Sequence, residues 1–370
     1  MRVVVVSPDE GRDVLQPHLD KLLPALRRRG YELEFVGWDR ASRWPGRSSH
    51  DGVAYMMVLR GGGYSSRRLL LWMPVWYLLA TLTLARRPPR TDEVVMAMDF
   101  EAAAPAAVAG LLRGHRFIYN CRDNVSMRYR LPTPARALLD WLDLRVMARA
   151  DAVIFPDESR VPPGGPSHSV VVRNCAPEVE LERTPNGATL TVAATGNLRE
   201  DRGVGMLLDA VAEVEGCRVL AAGKCRDGRL AARLAASPHV DYRGLLPPTE
   251  ALRLYGEADL VFTFYAPGPE INRRAISNKW SDAMMASLPI LVNSEVLKSS
   301  WVEDEGIGYA CAYDQEELVR TLRHIAAHRG DAASRGARGR RLWESGYRWE
   351  VAEERIVALI ERAASGAARP

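Results

Sequence analysis

With 370 residues, 47% of them hydrophobic, the chain can bury a sizeable core, and its length suits about two domains. Its 50 Lys and Arg stand against 46 Asp and Glu, a net charge of +4 that carries no global signature of nucleic-acid binding and sets that class aside. The five cysteines, Cys121, Cys175, Cys217, Cys225 and Cys311, are scattered and form no CxxC pair, which reads as reduced thiols of a cytoplasmic protein and not as a disulfide framework.

The chain opens on an apolar run, 3–6, cut off at once by Ser7-Pro8-Asp9, too short and too quickly polar for a signal peptide. From there apolar runs of strand length alternate with stretches of helical periodicity, the pattern of parallel sheets flanked by helices. Strands are expected at 3–6, 32–36, 53–58, 94–98, 117–120 and 152–155, with helices at 15–29, 102–112 and 135–148. Residues 69–85 carry no charge, hold Trp72, Trp76 and Tyr77, and are bracketed by Arg67-Arg68 and Arg86-Arg87. That falls short of the roughly 20 apolar residues of a spanning helix, and Pro74 is expected near the start, where helices tolerate proline. Two readings stay open: a buried helix, or a peripheral membrane contact through 67–87 with aromatics and arginines at headgroup level.

Prolines and glycines crowd 156–187, as in Pro162-Pro163-Gly164-Gly165-Pro166, and punctuate the chain there. The expected division is 1–178 and 179–349, with a final helix at 350–370 packing back on the first domain. Beyond the linker the alternation restarts, with strands at 189–195, 218–222, 240–242, 260–264 and 290–293 and the last helices at 316–327 and 351–364. The fold class is therefore α/β, with two doubly wound Rossmann-like domains facing a central cleft, where such sheets bind ligands.

Two segments of the second domain can carry chemistry. Thr195-Gly196-Asn197-Leu198-Arg199-Glu200-Asp201-Arg202-Gly203 follows a strand and opens a helix, the setting in which backbone amides, the helix amino end and a fixed arginine hold a diphosphate. An ordinary tight connection has the same pattern. In Ile276-Ser277-Asn278-Lys279-Trp280-Ser281-Asp282, Ser277 or Asn278 caps a helix, placing Lys279 in its first turn and Asp282 one turn on. A cation in a first turn opposes the helix dipole unless an anion is present, which points to phosphate; a routine surface pair is the plainer alternative.

In order along the chain these segments resemble the retaining glycosyltransferases of family 4, the GT-B fold. The residues that carry the resemblance are Gly196-Asn197-Leu198 with Arg202-Gly203 for G-x-L-x-x-x-K/R-G, Asn278-Lys279 with Asp282 and Met284 for N-K-x-x-E-x-M, and Ser287-Leu288-Pro289 for G-x-P. Further matches are Arg149-Ala150-Asp151-Ala152-Val153-Ile154, Arg173-Asn174-Cys175-Ala176-Pro177, Tyr242-Arg243-Gly244 and Tyr347-Arg348-Trp349. The resemblance implies that the first domain binds an acceptor and the second a nucleotide-diphosphate sugar, of UDP or GDP type. Arg202 and Lys279 would grip the diphosphate, Asp282 would take the ribose role usually filled by Glu, and Gly196, Asn197, Gly203 and Asn278 would complete the donor site. The chain departs from the pattern at Asn197, where arginine is common, and at Arg274, where glutamate is common; Glu270 is near but out of register.

On the acceptor side Asp123 and Asn124, in Tyr119-Asn120-Cys121-Arg122-Asp123-Asn124, resemble the family's D/H-x-x-D segment, and Gly11 and Arg12 of the amino-terminal loop are placed near the cleft. Asp123 joins Arg202 and Lys279 as a catalytic candidate, although an aspartate there also suits a turn cap. Paired cations at the leaving diphosphate lower the barrier electrostatically, and in retaining members the leaving phosphate itself helps deprotonate the acceptor. No metal and no cofactor beyond the donor sugar is expected: histidine spacing offers only His324 and His328 one helical turn apart, and DxD is absent. The acceptor class implied is a lipid-linked saccharide or a natural-product aglycone, with the oligomeric state left open. The competing readings are an epimerase or phosphorylase on the same fold, and a sugar-nucleotide-binding protein without catalysis.

Overall fold

Four consecutive valines, Val3 to Val6, are completely buried, as a parallel strand covered on both faces requires. They lie in the first strand of the computed structural model, which describes residues 1–11, 18–63, 66–128, 131–184 and 187–366. The chain divides into two units, one of residues 1–173 with 353–370 and one of residues 174–352.

In the first unit the elements are β1 (Arg2–Val6), α1 (Leu19–Arg28), β2 (Glu32–Asp39), β3 (Arg47–His50), β4 (Val53–Arg60), α2 (Ser66–Ala85), β5 (Glu93–Met98), α3 (Phe100–Arg113), β6 (Phe117–Asn120), α4 (Thr133–Met147), β7 (Ala152–Phe155) and β8 (Ser169–Val171). The sheet runs β3-β4-β2-β1-β5-β6-β7-β8. Its pairings are parallel except for the β3–β4 edge. The direction of progress reverses between β1 and β5, so the carboxyl ends of these two strands flank the switch point of the sheet. Pro74 lies well inside α2 and not near its start, and it is itself exposed. One side of this helix is core, with Trp76, Ala80 and Leu84 completely buried, while Leu71, Leu78 and Leu82 are exposed on the other.

The second unit contains β9 (Leu190–Leu198), α5 (Val204–Ala212), β10 (Cys217–Cys225), α6 (Gly228–Ala236), β11 (Val240–Tyr242), α7 (Pro248–Arg253), β12 (Leu260–Thr263), α8 (Glu270–Arg273), α9 (Asn278–Met285), β13 (Ile290–Asn293), α10 (Ser299–Asp304), β14 (Gly308–Cys311), α11 (Gln315–Ala327) and α12 (Arg329–Gly346). Its sheet is wholly parallel in the order β11-β10-β9-β12-β13-β14, with the switch point between β9 and β12. Both units are thus Rossmann-like α/β domains, as the alternation along the sequence implies. The last helix, α13 (Trp349–Ser365), belongs to the first unit from Glu353 onward. There Glu353 accepts from Arg29 at 2.8 Å and Arg28 at 3.2 Å, and Tyr31 donates to Glu361 at 3.3 Å.

Candidate functional site

The two segments singled out in the second domain meet at the carboxyl ends of β9 and β12. Strand β9 does not stop at Thr195 but runs on to Leu198, so Gly196 is a strand residue and not a turn. Its φ of +87° suits glycine, and the backbones pack so tightly there that a methyl group on the neighbouring Gly223 would lie 1.8 Å from the Gly196 carbonyl oxygen. A single turn of 3-10 helix, Glu200–Arg202, follows, and Gly203 caps α5 in the left-handed conformation with φ +67°. Arg202 therefore sits just ahead of α5, and its guanidinium carbon lies 4.1 Å above the centre of the Tyr265 ring. Its Nη1 is buried without a hydrogen-bond partner.

Helix α9 supplies the second cation. Ser277 is its cap, with Oγ accepting from the Lys279 N–H at 3.3 Å. Trp280, Ser281, Ala283, Met284 and Met285 are buried, and the helix is fixed by Trp280 Nε1 donating to Thr263 Oγ1 at 3.0 Å and by Ser281 Oγ accepting from the Ala176 N–H at 2.6 Å. What this leaves half exposed is Asn278, Lys279 and Asp282. Lys279 reaches over β9, where a methyl group on Gly196 would come within 3.6 Å of its ammonium nitrogen. One small pocket is lined by Thr195, Asn197, Arg202, Phe264, Tyr265 and Lys279 among others. Beside it Thr195 Oγ1 and the Tyr255 hydroxyl lie 2.7 Å apart. Burial raises the Tyr255 hydroxyl, and the nearby Asp282 charge pushes the same way. Two cations converge on a glycine-lined strand end, an arrangement suited to a dianion such as a pyrophosphate.

In the first unit the carboxyl ends of β5 and β6 carry a second polar cluster. Asp99, ahead of α3, has φ +62° and ψ 173°, a region that non-glycine residues rarely enter. Its carboxylate accepts from the Arg122 N–H at 3.0 Å and from Arg122 Nε at 3.1 Å and Nη2 at 2.5 Å. Burial pushes the Asp99 carboxyl up, but Arg122 and Arg128 outweigh it and hold the group below the usual carboxylate range. Asp123 lies 3.4 Å from the buried Arg160, with its side chain 42% exposed; burial raises it, and Arg160 pulls the other way. Asn124 is itself buried, its Nδ2 donating to the Arg160 carbonyl at 3.1 Å while its Oδ1 finds no partner. His18 Nε2 is 2.8 Å from Asn120 Nδ2, and burial with Lys21 and Arg122 nearby lowers it to about 3, so the ring is neutral.

Residues 15–160 match the family model described as "Glycosyl transferase 4-like domain", and residues 199–358 match "Glycosyl transferase-like". The chain is a glycosyltransferase of the GT-B type. Its fold is similar to that of the sucrose-phosphate synthase of Thermosynechococcus elongatus, with a TM-score of 0.77 at 13% identity over 99% of this chain and 100% of that one. It is similar also to HepE of Anabaena, solved with UDP and glucose, with a TM-score of 0.70 at 13% identity over 98% of this chain and 99% of the other. A third similar structure is WaaG, a glycosyltransferase involved in lipopolysaccharide biosynthesis, with a TM-score of 0.66 at 14% identity over 97% and 99% of the two chains. No curated protein sequence matches the chain at a significant level.

Within this glycosyltransferase, Arg202, Lys279 and Asn197 line one pocket, with Gly196 beneath Lys279, Gly203 ahead of α5, and Asn278 and Asp282 on the half-exposed side of α9. Gly11, with φ +63°, packs against Phe35 so closely that a methyl group there would meet the ring at 2.2 Å, while Arg12 lies outside the described residues. Arg274 and Glu270 pair with each other at 3.2 Å. Tyr265, Gly223 and Arg160 went unread in the sequence. Gly223 offered a signal, a glycine at the end of an apolar strand, but Tyr265 and Arg160 offered none. Among the described residues no helix is long and apolar enough to cross a membrane, and no group of three or more His, Cys, Asp or Glu is placed to share a metal ion.

Proposed function

We propose that the chain transfers a hexose from a UDP- or GDP-type sugar to a lipid-linked saccharide or natural-product aglycone, with retention and without a metal, in the manner of family 4. One observation carries the reading: Arg202 and Lys279, far apart in sequence, line the same pocket at the switch point of a Rossmann-like sheet. There the two cations take up the negative charge that grows on the leaving diphosphate, each such contact lowering the barrier by roughly 3 kcal/mol. Asn197, Asn278 and the backbone around Gly196 and Gly203 hold the phosphates, and Asp282 takes the ribose hydroxyls. Asp123 and Asn124 of the first unit, with Gly11 and Arg12, serve the acceptor. In a retaining transfer the departing phosphate oxygen accepts the acceptor's proton, so no separate base is required. The protein works in the cytoplasm, with peripheral contact to the inner face of the membrane through 67–87.

Incubation with a panel of UDP- and GDP-sugars, read by release of free nucleoside diphosphate, tests the proposal. Slow release without acceptor and faster release with a crude lipid-saccharide fraction is expected, and Lys279→Ala should remove most of the turnover. Epimerised sugar nucleotide without release, or an undiminished rate in the Lys279→Ala variant, would discard it.

A further inference from the structure

The connections β4–α2–β5, β5–α3–β6 and β6–α4–β7 all step in the same direction along the first sheet, so right-handed crossovers put α2, α3 and α4 on one face of it. Neighbours in this layer are tied together: Trp76 Nε1 donates to the Glu101 carbonyl at 2.8 Å, and Tyr77 meets Phe100 edge to face. The outward stripes are apolar. Leu71 and Leu78 of α2 are 75% and 59% exposed, Leu111 and Leu112 of α3 66% and 65%, and Leu138 and Trp141 of α4 58% and 50%. Of the large hydrophobic residues exposed among the described residues, only Met1, Leu131, Leu245 and Leu297 lie off these three helices. So extended an apolar surface calls for an occupant.

Charge selects which occupant. Exposed Arg68, Arg113 and Arg145 sit among the leucines, whereas two of the three acids in these helices, Glu101 and Asp143, are buried and only Asp140 is half exposed. Two copies of such a face would bring like charges together, while an anionic lipid surface satisfies both the leucines and the arginines. We propose that α2, α3 and α4 form one docking face for an anionic membrane. This rests on the membrane contact proposed for α2 and extends it to two more helices, so that α4 inserts side chains of its own.

The test is cosedimentation of the full chain with vesicles of phosphatidylcholine alone and of phosphatidylcholine mixed equally with phosphatidylglycerol. The wild type should partition onto the mixed vesicles and be released by about 0.5 M salt. The double variant Leu138→Gln, Trp141→Gln leaves α2 intact and should weaken partitioning by at least about tenfold. Its thermal melting should stay unchanged, since both side chains are exposed. Undiminished partitioning of this variant, equal binding to neutral vesicles, or a dimer in light scattering that the variant disperses would each overturn the proposal. Nucleoside diphosphate release is read in parallel. Absent vesicle binding with normal release sinks the docking face alone, and vesicle binding with no release sinks the transfer reading alone.

Discussion

The Arg202 guanidinium carbon lies over the Tyr265 ring, 4.1 Å from its centre, with Nη1 buried and unpartnered. The ring holds the cation by a contact worth roughly 0.5–2 kcal/mol at the pocket that both residues line. Arg202→Lys keeps the charge but loses both the stacking plane and the fork of donors. It should lower kcat/KM for donor cleavage by about tenfold or more. Tyr265→Phe should be near wild type and Tyr265→Leu should resemble Arg202→Lys. Steady-state release of nucleoside diphosphate distinguishes them, and an unaffected Leu variant would show that the ring has no part in holding Arg202.

Gly203 is demanded twice, by its φ of +67° and by space, since a methyl group would sit 3.0 Å from Phe264 Cβ and 3.2 Å from Phe262 Cζ. Gly203→Ala should destabilise the second unit by roughly 1–3 kcal/mol and weaken donor binding as well, because Arg202 precedes it directly. Gly228 is the control: a methyl there meets nothing within 4 Å. Gly228→Ala should leave both melting and calorimetric UDP binding unchanged; equal effects at the two sites would contradict the steric reading of Gly203.

What the sequence discloses follows from how local each determinant is. The Lys279 turn was legible because Ser277 announces the cap and the apolar residues from Trp280 to Met285 announce the buried side. The central strands were legible because buried strands are runs of Val, Ile and Phe. Strand β3, Arg47–His50, was not, since it is a polar antiparallel edge that buries nothing completely. Gly223 needs to be glycine for its φ of +144° and because β10 sets it against the Gly196 carbonyl, a register between strands that no spacing reveals. Arg160 and Tyr265 acquire their meaning from the partners Asp123 and Arg202, brought to them by the sheet.

Ser287 stands where the G-x-P pattern has glycine, and it keeps the glycine conformation, with φ +55°. It closes α9 in a Schellman arrangement: the Leu288 N–H donates to the Ala283 carbonyl at 2.8 Å and the Ser287 N–H to Met284 at 3.1 Å. The bonds explain why serine tolerates the strain, and the strain explains what glycine would relieve. Ser287→Gly should stabilise the protein by about 0.5–1 kcal/mol, read as a higher melting temperature. A lower one would mean that the serine side chain contributes more than its conformation costs.

Asp143 of α4 accepts from the Tyr119 hydroxyl at 2.8 Å deep in the first unit. Burial pushes its carboxyl up to about 7, against the pull of that hydrogen bond and with Asp140, Glu101 and Asp99 adding to the rise. An unfolded aspartate titrates near about 3.9. The folded state therefore keeps a proton that the unfolded chain gives up, and the stability it confers is complete below about pH 4 and lost as pH climbs to about 7. Asp143→Asn retains an acceptor oxygen for Tyr119 and cannot ionise, so its advantage over wild type should grow between pH 5 and pH 8, by at most about 1.4 kcal/mol for each unit crossed below the folded value. Asp143→Ala, which strands the Tyr119 hydroxyl, should melt lower at both pH values. Thermal melts of the three proteins at the two pH values decide it: a constant gap between Asn and wild type would mean that Asp143 is already ionised in the folded protein at pH 5.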